Sequence, residues 1–232
     1  RCFVVNQQMD LLKWKTYCLG AVFFEVPNCL VALQKIAAHH RSCFNIPVIG
    51  ITGSNGKTVV KEWLYQLLSN SYHIVRSPRS YNSQIGVPLS VWKMNATHEL
   101  AIFEAGISTT HEMEQIAPVI KPTIGVLTHM GHAHAEGFTG MSQKIQEKLR
   151  LFETVDTLIY GKDLLNEGVD IEADASMFNR PITFYSWSRK APATLVITSE
   201  INTPNFTELH LLVAGQTYLV QLPFTDKASI DN

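Results

Sequence analysis

From Ile46 onward, short apolar runs alternate with stretches whose apolar residues recur at helical spacing. Ile46–Ile51 is apolar and gives way to glycine and polar residues, the pattern of a buried strand. Val59, Val60, Trp63, Leu64, Leu67 and Leu68 then follow on one helical face. The same reading makes strands of His73–Arg76, Leu100–Glu104, Thr123–Thr128 and Thr157–Tyr160. It makes helices of Gly86–Met94, Thr110–Ile120 and Ser142–Glu153, the second preceded by Thr109 and Glu112 at capping-box spacing. Such alternation predicts an α/β fold whose mostly parallel sheet is covered on both faces. From Pro181 the pattern changes. Ile182–Trp187, Thr194–Ile201, Thr207–Val213 and Thr217–Leu222 read as four strands without intervening helices, predicting an antiparallel subsheet appended to the parallel one. Residues 1–44 hold two apolar strings, Cys2–Val5 and Ala21–Val26, and one helical stretch, Cys29–His40.

The 232 residues suit one large domain, or one domain with part of another. Apolar residues make up 46%, which excludes disorder. Charged residues are only 17%, below the ~25% of ordinary soluble domains, so neighbouring domains are expected to cover part of the surface. With 19 basic and 20 acidic residues the net charge is −1, and a nucleic-acid backbone is not an expected partner. No apolar run approaches the ~18–20 residues needed to span a membrane. The chain starts at Arg1 without a signal peptide and stops at Asn232 without a terminating signal, and is expected to be a piece of a longer one. Cys2, Cys18, Cys29 and Cys43 all lie in the first fifth and form no C-x-x-C pair, so they read as reduced thiols of a cytoplasmic protein.

The strongest chemical signal is Thr52-Gly53-Ser54-Asn55-Gly56-Lys57-Thr58, set between a predicted strand and a predicted helix. Glycines let backbone N–H groups converge on phosphate oxygens, and the helix N-terminus adds its positive dipole end. Lys57 would reach the β and γ phosphates of ATP, and the Thr58 hydroxyl would ligate Mg²⁺. The spacing is a short variant, G-x-x-G-K-T, with Ile51 where the usual first glycine stands. Glu104 ends a predicted strand on the same sheet edge. Alone, such a residue reads as an N-cap or a surface acid; its place beside the loop sets a magnesium role next to those readings. His129, His132, His134 and Glu136 follow another strand end. Their spacing fits no familiar zinc pattern, whereas one of the histidines could join the metal and phosphate site. Lys148 and Arg150, on a predicted helix, read by themselves as solvated.

Taken in order, Thr52–Thr58, Asn82-Ser83-Gln84-Ile85-Gly86-Val87-Pro88, Glu104-Ala105-Gly106 and His134-Ala135-Glu136-Gly137-Phe138 resemble the successive motifs of the Mur ligases, ATP-dependent amide-bond ligases of peptidoglycan synthesis. Within that family the chain is most similar to the members that add D-alanyl-D-alanine to UDP-N-acetylmuramoyl-tripeptide, in the form fused to an alanine racemase in Bacteroidetes-type bacteria. The resemblance covers most of the chain from Ile46. It implies ATP, two magnesium ions, and roles residue by residue. Gly53, Ser54, Asn55, Gly56, Lys57 and Thr58 would form the phosphate loop, with Thr58 and Glu104 on the first magnesium. His134 would hold the second, together with Lys148 carbamylated by CO₂. Asn82 and Ser83 would contact substrate, and Asn232 adenine. Pro223–Asn232 departs from the family's L-P-G-x-H-N-x-x-N pattern, with Lys227 at the histidine position, and His129 stands where asparagine is common. The resemblance further implies that residues 1–44 are the end of a UDP-substrate-binding domain. Residues 45–232 would be the central ATP-binding domain, incomplete at its end, with the C-terminal ligase domain lacking.

Three rivals remain at this level. One is another ligase of the same fold, a different Mur enzyme or a folylpolyglutamate synthase. A second is a nucleotide-binding module inactive by itself. The third, a generic phosphate-loop ATPase or kinase, is disfavoured because those proteins carry an aspartate at a strand end for Mg²⁺.

Overall fold

The computed structural model describes residues 1–131, 137–165, 170–173, 177–190 and 192–232. The chain opens with β1 (Cys2–Asn6), α1 (Leu11–Tyr17), β2 (Val22–Val26) and α2 (Cys29–Ser42). There follow β3 (Val48–Thr52), α3 (Lys57–Leu68), β4 (Ile74–Arg76), α4 (Gly86–Val91), β5 (Leu100–Glu104), α5 (Glu112–Ile120), β6 (Ile124–Leu127) and α6 (Met141–Leu149). A 3-10 turn at Arg150–Phe152 leads to β7 (Thr157–Gly161), β8 (Thr183–Ser188), β9 (Leu195–Asn202), β10 (Thr207–Val213), β11 (Gln216–Leu222) and α7 (Lys227–Ile230).

β1 and β2 pair in parallel as a small sheet of their own. The remaining strands form one sheet in the order β11-β10-β9-β8-β7-β6-β3-β5-β4. β3 lies between β5 and β6, so the strand order reverses there, and the crevice beyond its carboxyl end is where open α/β sheets bind ligands. β3 and β5 are buried at every position because helices cover both faces. The pleat sorts their side chains: Val48, Ala101 and Phe103 join the core with α2, α4, α5 and α6, while Ile49, Ile51, Leu100 and Ile102 pack under α3 with Val60, Leu64 and Leu68.

Gly50 and Gly125 are register partners on β3 and β6. A Cβ on Gly50 would lie 2.8 Å from Pro122 Cβ, and one on Gly125 2.6 Å from Phe152 Cδ1. Bare Gly125 lets Phe152, in the turn that follows α6, seat directly on β6, while bare Gly50 admits Pro122.

The expected four-stranded antiparallel subsheet is corrected. β8 pairs in parallel with β7, and its last two residues pair in parallel with β9. Among the described residues only β9, β10 and β11 pair antiparallel with one another. Residues 162–182 separate β7 from β8, longer than the roughly dozen residues a parallel crossover needs, so the lack of a helical pattern there did not require a hairpin. The start of α5 is corrected too. Its N-cap is His111 at φ 66°, not Thr109, and the helix begins at Glu112. The Glu112 carboxylate still accepts hydrogen bonds from the Ser108 and Thr109 amides.

α2 packs against α4 and α5, and its Ala37 is fully buried in the main core. Arg41 fixes it there. This buried guanidinium donates to the carbonyls of Ile120 (3.0 Å), Lys121 (3.1 Å) and Phe44 (2.8 Å), capping the orphaned carbonyl end of α5. All four cysteines are free thiols. Among the described residues no helix is long and apolar enough to cross a membrane.

Candidate functional site

The loop between β3 and α3 is built by close approaches that only glycine allows. Gly56, the N-cap of α3, has φ 85°, and a Cβ there would collide with the Asn232 amide. A Cβ on Gly53 would collide with Thr128 Oγ1, whose hydroxyl donates to Asn55 O at 2.6 Å. Ser54 N donates to His129 O (2.8 Å), and Ser54 Oγ to Gly131 O (3.0 Å). The segment after β6 therefore forms the outer wall of the phosphate loop. Lys57 Nζ folds back onto the Gly53 and Ser54 carbonyls at 2.9 and 3.3 Å. Burial pushes the Lys57 pKa down, Glu104 opposes that, and Lys144 adds to it.

Thr58, in the first turn of α3, donates from Oγ1 to Glu104 Oε2 at 2.9 Å. Glu104 is the last residue of β5 and fully buried. A hydroxyl and a carboxylate are hard oxygen donors, a set that fits Mg²⁺.

Opposite the loop, α6 presents Lys144 and Lys148, both 2% exposed. Lys144 Nζ donates to Gly131 O at 2.6 Å. Burial first, then the positive charges of Lys57 and Lys144, lower the Lys148 pKa to about 7. These three lysines line a cavity of about 250 Å³ together with Asn82, Ser83 and Glu112. Asn82 lies against Gly106, whose N–H donates to Asn82 O at 2.8 Å, and Ser83 Oγ accepts from the Gly86 amide at 3.1 Å. Beyond Asn232, a cavity of about 450 Å³ is lined by Asp231, Ile230, Arg189 and Asp163.

Gly53–Thr58, Glu104, Lys148, Asn82 and Ser83 thus meet at one edge of the sheet, and Asn232 reaches that edge through Gly56. His134, with His132 and Glu136, lies outside the described residues. His129 contributes its carbonyl to the loop wall, while its Nδ1 is buried without a hydrogen bond among the described residues. Arg150 points away from the cavity and pairs with Glu114 and Glu147. Sequence reasoning missed Lys61, Lys144 and Glu112. Lys61 is four residues after Lys57 and Lys144 four before Lys148, so helical spacing from the two chosen lysines is the signal that could have found them.

Comparison with known proteins gives the Mur ligase middle domain as the family matching residues 51–232. A UDP-N-acetylmuramoyl-tripeptide–D-alanyl-D-alanine ligase from Borreliella burgdorferi is 33% identical over 153 residues, 65% of this chain and 33% of that protein. Among solved structures, MurF from Acinetobacter baumannii superposes with a TM-score of 0.79 at 21% identity, over 90% of this chain and 46% of that one. MurF ligase from Thermotoga maritima, in complex with ADP, gives 0.74 at 22% identity, over 90% of this chain and 48% of that one. At such identities the likeness is one of fold. The chain spans about a third of the curated relative's length and about half of each structural neighbour's.

Proposed function

The chain belongs to the Mur ligase family, and from that premise we propose that it is the ATP-binding part of a ligase joining D-alanyl-D-alanine to UDP-N-acetylmuramoyl-tripeptide. The observation that carries this reading is the convergence of Lys57, Lys144 and Lys148 on one small cavity beside the Thr58–Glu104 pair. Two cations, Lys57 and Lys144, beside an amine held near neutrality at Lys148 suit the transfer of a multiply charged phosphoryl group, which needs positioning and charge more than a covalent nucleophile. The printed name of the Borreliella relative supports the choice of substrates.

In this reading Lys57 exchanges the Gly53 and Ser54 carbonyls for the β and γ phosphate oxygens of ATP. The loop amides and the N-terminus of α3 cradle the same phosphates. The tripeptide's terminal carboxylate, held near Asn82 and Ser83, attacks the γ phosphorus, and ADP leaves. The D-alanyl-D-alanine amine then attacks the acyl carbon, the amide forms, and inorganic phosphate departs. Mg²⁺, held by Thr58 and Glu104 and, at a second position, by His134 and a Lys148 carbamate, would supply positive charge to the phosphoryl oxygens. A carbamate forms when a neutral amine adds CO₂ and loses a proton, and the burial of Lys148 beside two cations supports a neutral amine. Asn232, with the cavity beyond it, would take the adenosine end.

Residues 1–44 are assigned to a preceding UDP-substrate-binding domain and 45–232 to the ATP-binding domain. The exposed apolar residues of the β1–β2 unit, Leu12, Leu19, Val22 and Phe24 among them, support a covered face in a longer protein. A cytoplasmic setting and a fused alanine racemase complete the reading. The experiment is a ligation assay on the full-length protein. ADP release should require both D-alanyl-D-alanine and the UDP-linked tripeptide; turnover with a single amino acid or with glutamate as the amine overturns the substrate assignment.

A further inference from the structure

Lys61 is fully buried, although it carries a full charge and lies one helical turn beyond Lys57. An ammonium has three protons to place. One contact is Glu104 Oε1 at 3.2 Å, a second Glu62 Oε1 at 3.2 Å, and the third the carbonyl of Arg79. Neither Lys61 nor Glu104 exposes any side-chain surface. Lys61 therefore cannot touch a nucleotide; it acts on what surrounds it.

Those partners form a circuit. Glu104 turns Oε1 to Lys61 and Oε2 to Thr58. Arg79 opens the turn that carries Asn82 and Ser83, and it holds the left-handed φ of 50°. Two residues past Glu104, the Gly106 amide grips Asn82 O at 2.8 Å. The path Glu104–Lys61–Arg79–Asn82–Gly106 closes on itself through five residues of three separate segments. With one carboxylate oxygen anchored, the other is committed to the Thr58 side, where the phosphate loop ends.

We propose that Lys61 is a positioning residue that aims Glu104 at the cation and ties that carboxylate to the substrate-facing turn at residues 79–83. This rests on the reading of Glu104 as a magnesium ligand. The link makes metal occupancy and the placement of Asn82 and Ser83 interdependent, because both hang from one ammonium.

The test uses the full-length enzyme with Mn²⁺ as probe, its binding in the presence of ADP followed by electron paramagnetic resonance. Lys61→Met, close in volume, should weaken Mn²⁺ binding about 10–100-fold, the range seen when partners that orient a metal ligand are lost. It should also raise KM for the UDP-linked tripeptide more than it lowers kcat. Glu62→Gln, which removes a charge beside Lys61 but touches neither Glu104 nor the turn, should change Mn²⁺ affinity less than about twofold. In a Glu104→Gln background, Lys61→Met should have little further effect on Mn²⁺. Parental Mn²⁺ affinity in Lys61→Met, an equal loss in Glu62→Gln, or an undiminished effect in the Glu104→Gln background overturns the proposal. Unchanged Mn²⁺ affinity in Glu104→Gln alone instead removes the metal reading beneath it, so the two failures are distinct. If Lys61→Met does not fold, hydrogen exchange in the parent decides. Mn²⁺–ADP should slow amide exchange across residues 79–83, and unchanged exchange there beside a protected phosphate loop overturns the link.

Discussion

Thr58 Oγ1 and Glu104 Oε2 face each other at 2.9 Å, although one residue begins α3 and the other ends β5. The contact joins the phosphate loop to the neighbouring strand through two oxygen atoms, with no nitrogen or sulfur between them. Thr58→Val keeps the branched shape and deletes the hydroxyl. Calorimetry of ADP binding with and without Mg²⁺ should show the metal-dependent gain in affinity cut about tenfold or more, with metal-free binding nearly unchanged. A full metal-dependent gain in Thr58→Val refutes the shared-cation reading.

Lys57 is stored against its own loop, donating to the Gly53 and Ser54 carbonyls. Lys57→Ala removes the only charge the loop itself can extend toward the β and γ phosphates. Ligation by the full-length enzyme should fall about a hundredfold to a thousandfold, the scale of losing one donor aimed at transition-state charge. The fold should survive, because the lysine's present partners are carbonyls at a wet edge. Turnover within a few-fold of the parent, measured as ADP release, counts against the site.

The Lys148 amine, with its pKa near 7 and not at the usual 10.5, is the group expected to react with CO₂. Under ¹³C-bicarbonate at pH 8 the full-length enzyme should give one carbamate resonance, absent from Lys148→Arg. The same shift has a sign for stability. Between about pH 7 and 10.5 the unfolded chain holds the Lys148 proton and the folded chain does not, so stability from this residue rises with pH across that window. Below about pH 7 both states are protonated and the burial penalty is felt in full. Denaturant melts without bicarbonate should show that rise in the parent and a flatter curve in Lys148→Met.

Gly125→Ala tests the packing that seats α6. The new methyl would meet Phe152 at 2.6 Å in a core with no slack. Urea unfolding should show a loss of roughly 1–3 kcal/mol, the usual cost of overpacking. A neutral result would mean that the Phe152 ring can move aside.

Much of the site could be read from the sequence because its parts are local. The strand, glycines, lysine, threonine and helix of residues 48–68 are contiguous, and Glu104 closes a run whose apolar residues announce a buried strand. The parts that could not be read depend on distant chain. Lys61 and Lys144 offer only the hint of helical spacing from Lys57 and Lys148, because the groups that bury them, Glu104 and Arg79 for one and Gly131 for the other, come from remote segments. Asn232 reaches Gly56 only because α7 returns the chain to the loop. The direction of β8 shows only in its parallel pairing with β7, a contact between separate segments that leaves no periodic trace in the sequence. Thr109 has the right spacing to cap α5, yet the chain turns at His111 with φ 66°, which delays the helix to Glu112.

The bare Gly125 fixes where Phe152, just past the end of α6, comes to rest, and Lys148 stands four residues upstream of it. One residue inserted between them would turn the helix by about 100° and shift it by about 1.5 Å, carrying the Lys148 amine off the cleft wall. Length change should therefore be tolerated unevenly along the chain. The Ala214–Gly215 turn of the outer hairpin, where a Cβ on Gly215 would meet nothing within 4 Å, can be lengthened freely, whereas the interval 148–152 behaves as a ruler whose zero is the missing side chain of Gly125. A family of such proteins could vary its outer hairpin at will and still be held to one spacing there, for a reason lying on the strands and not in the cleft.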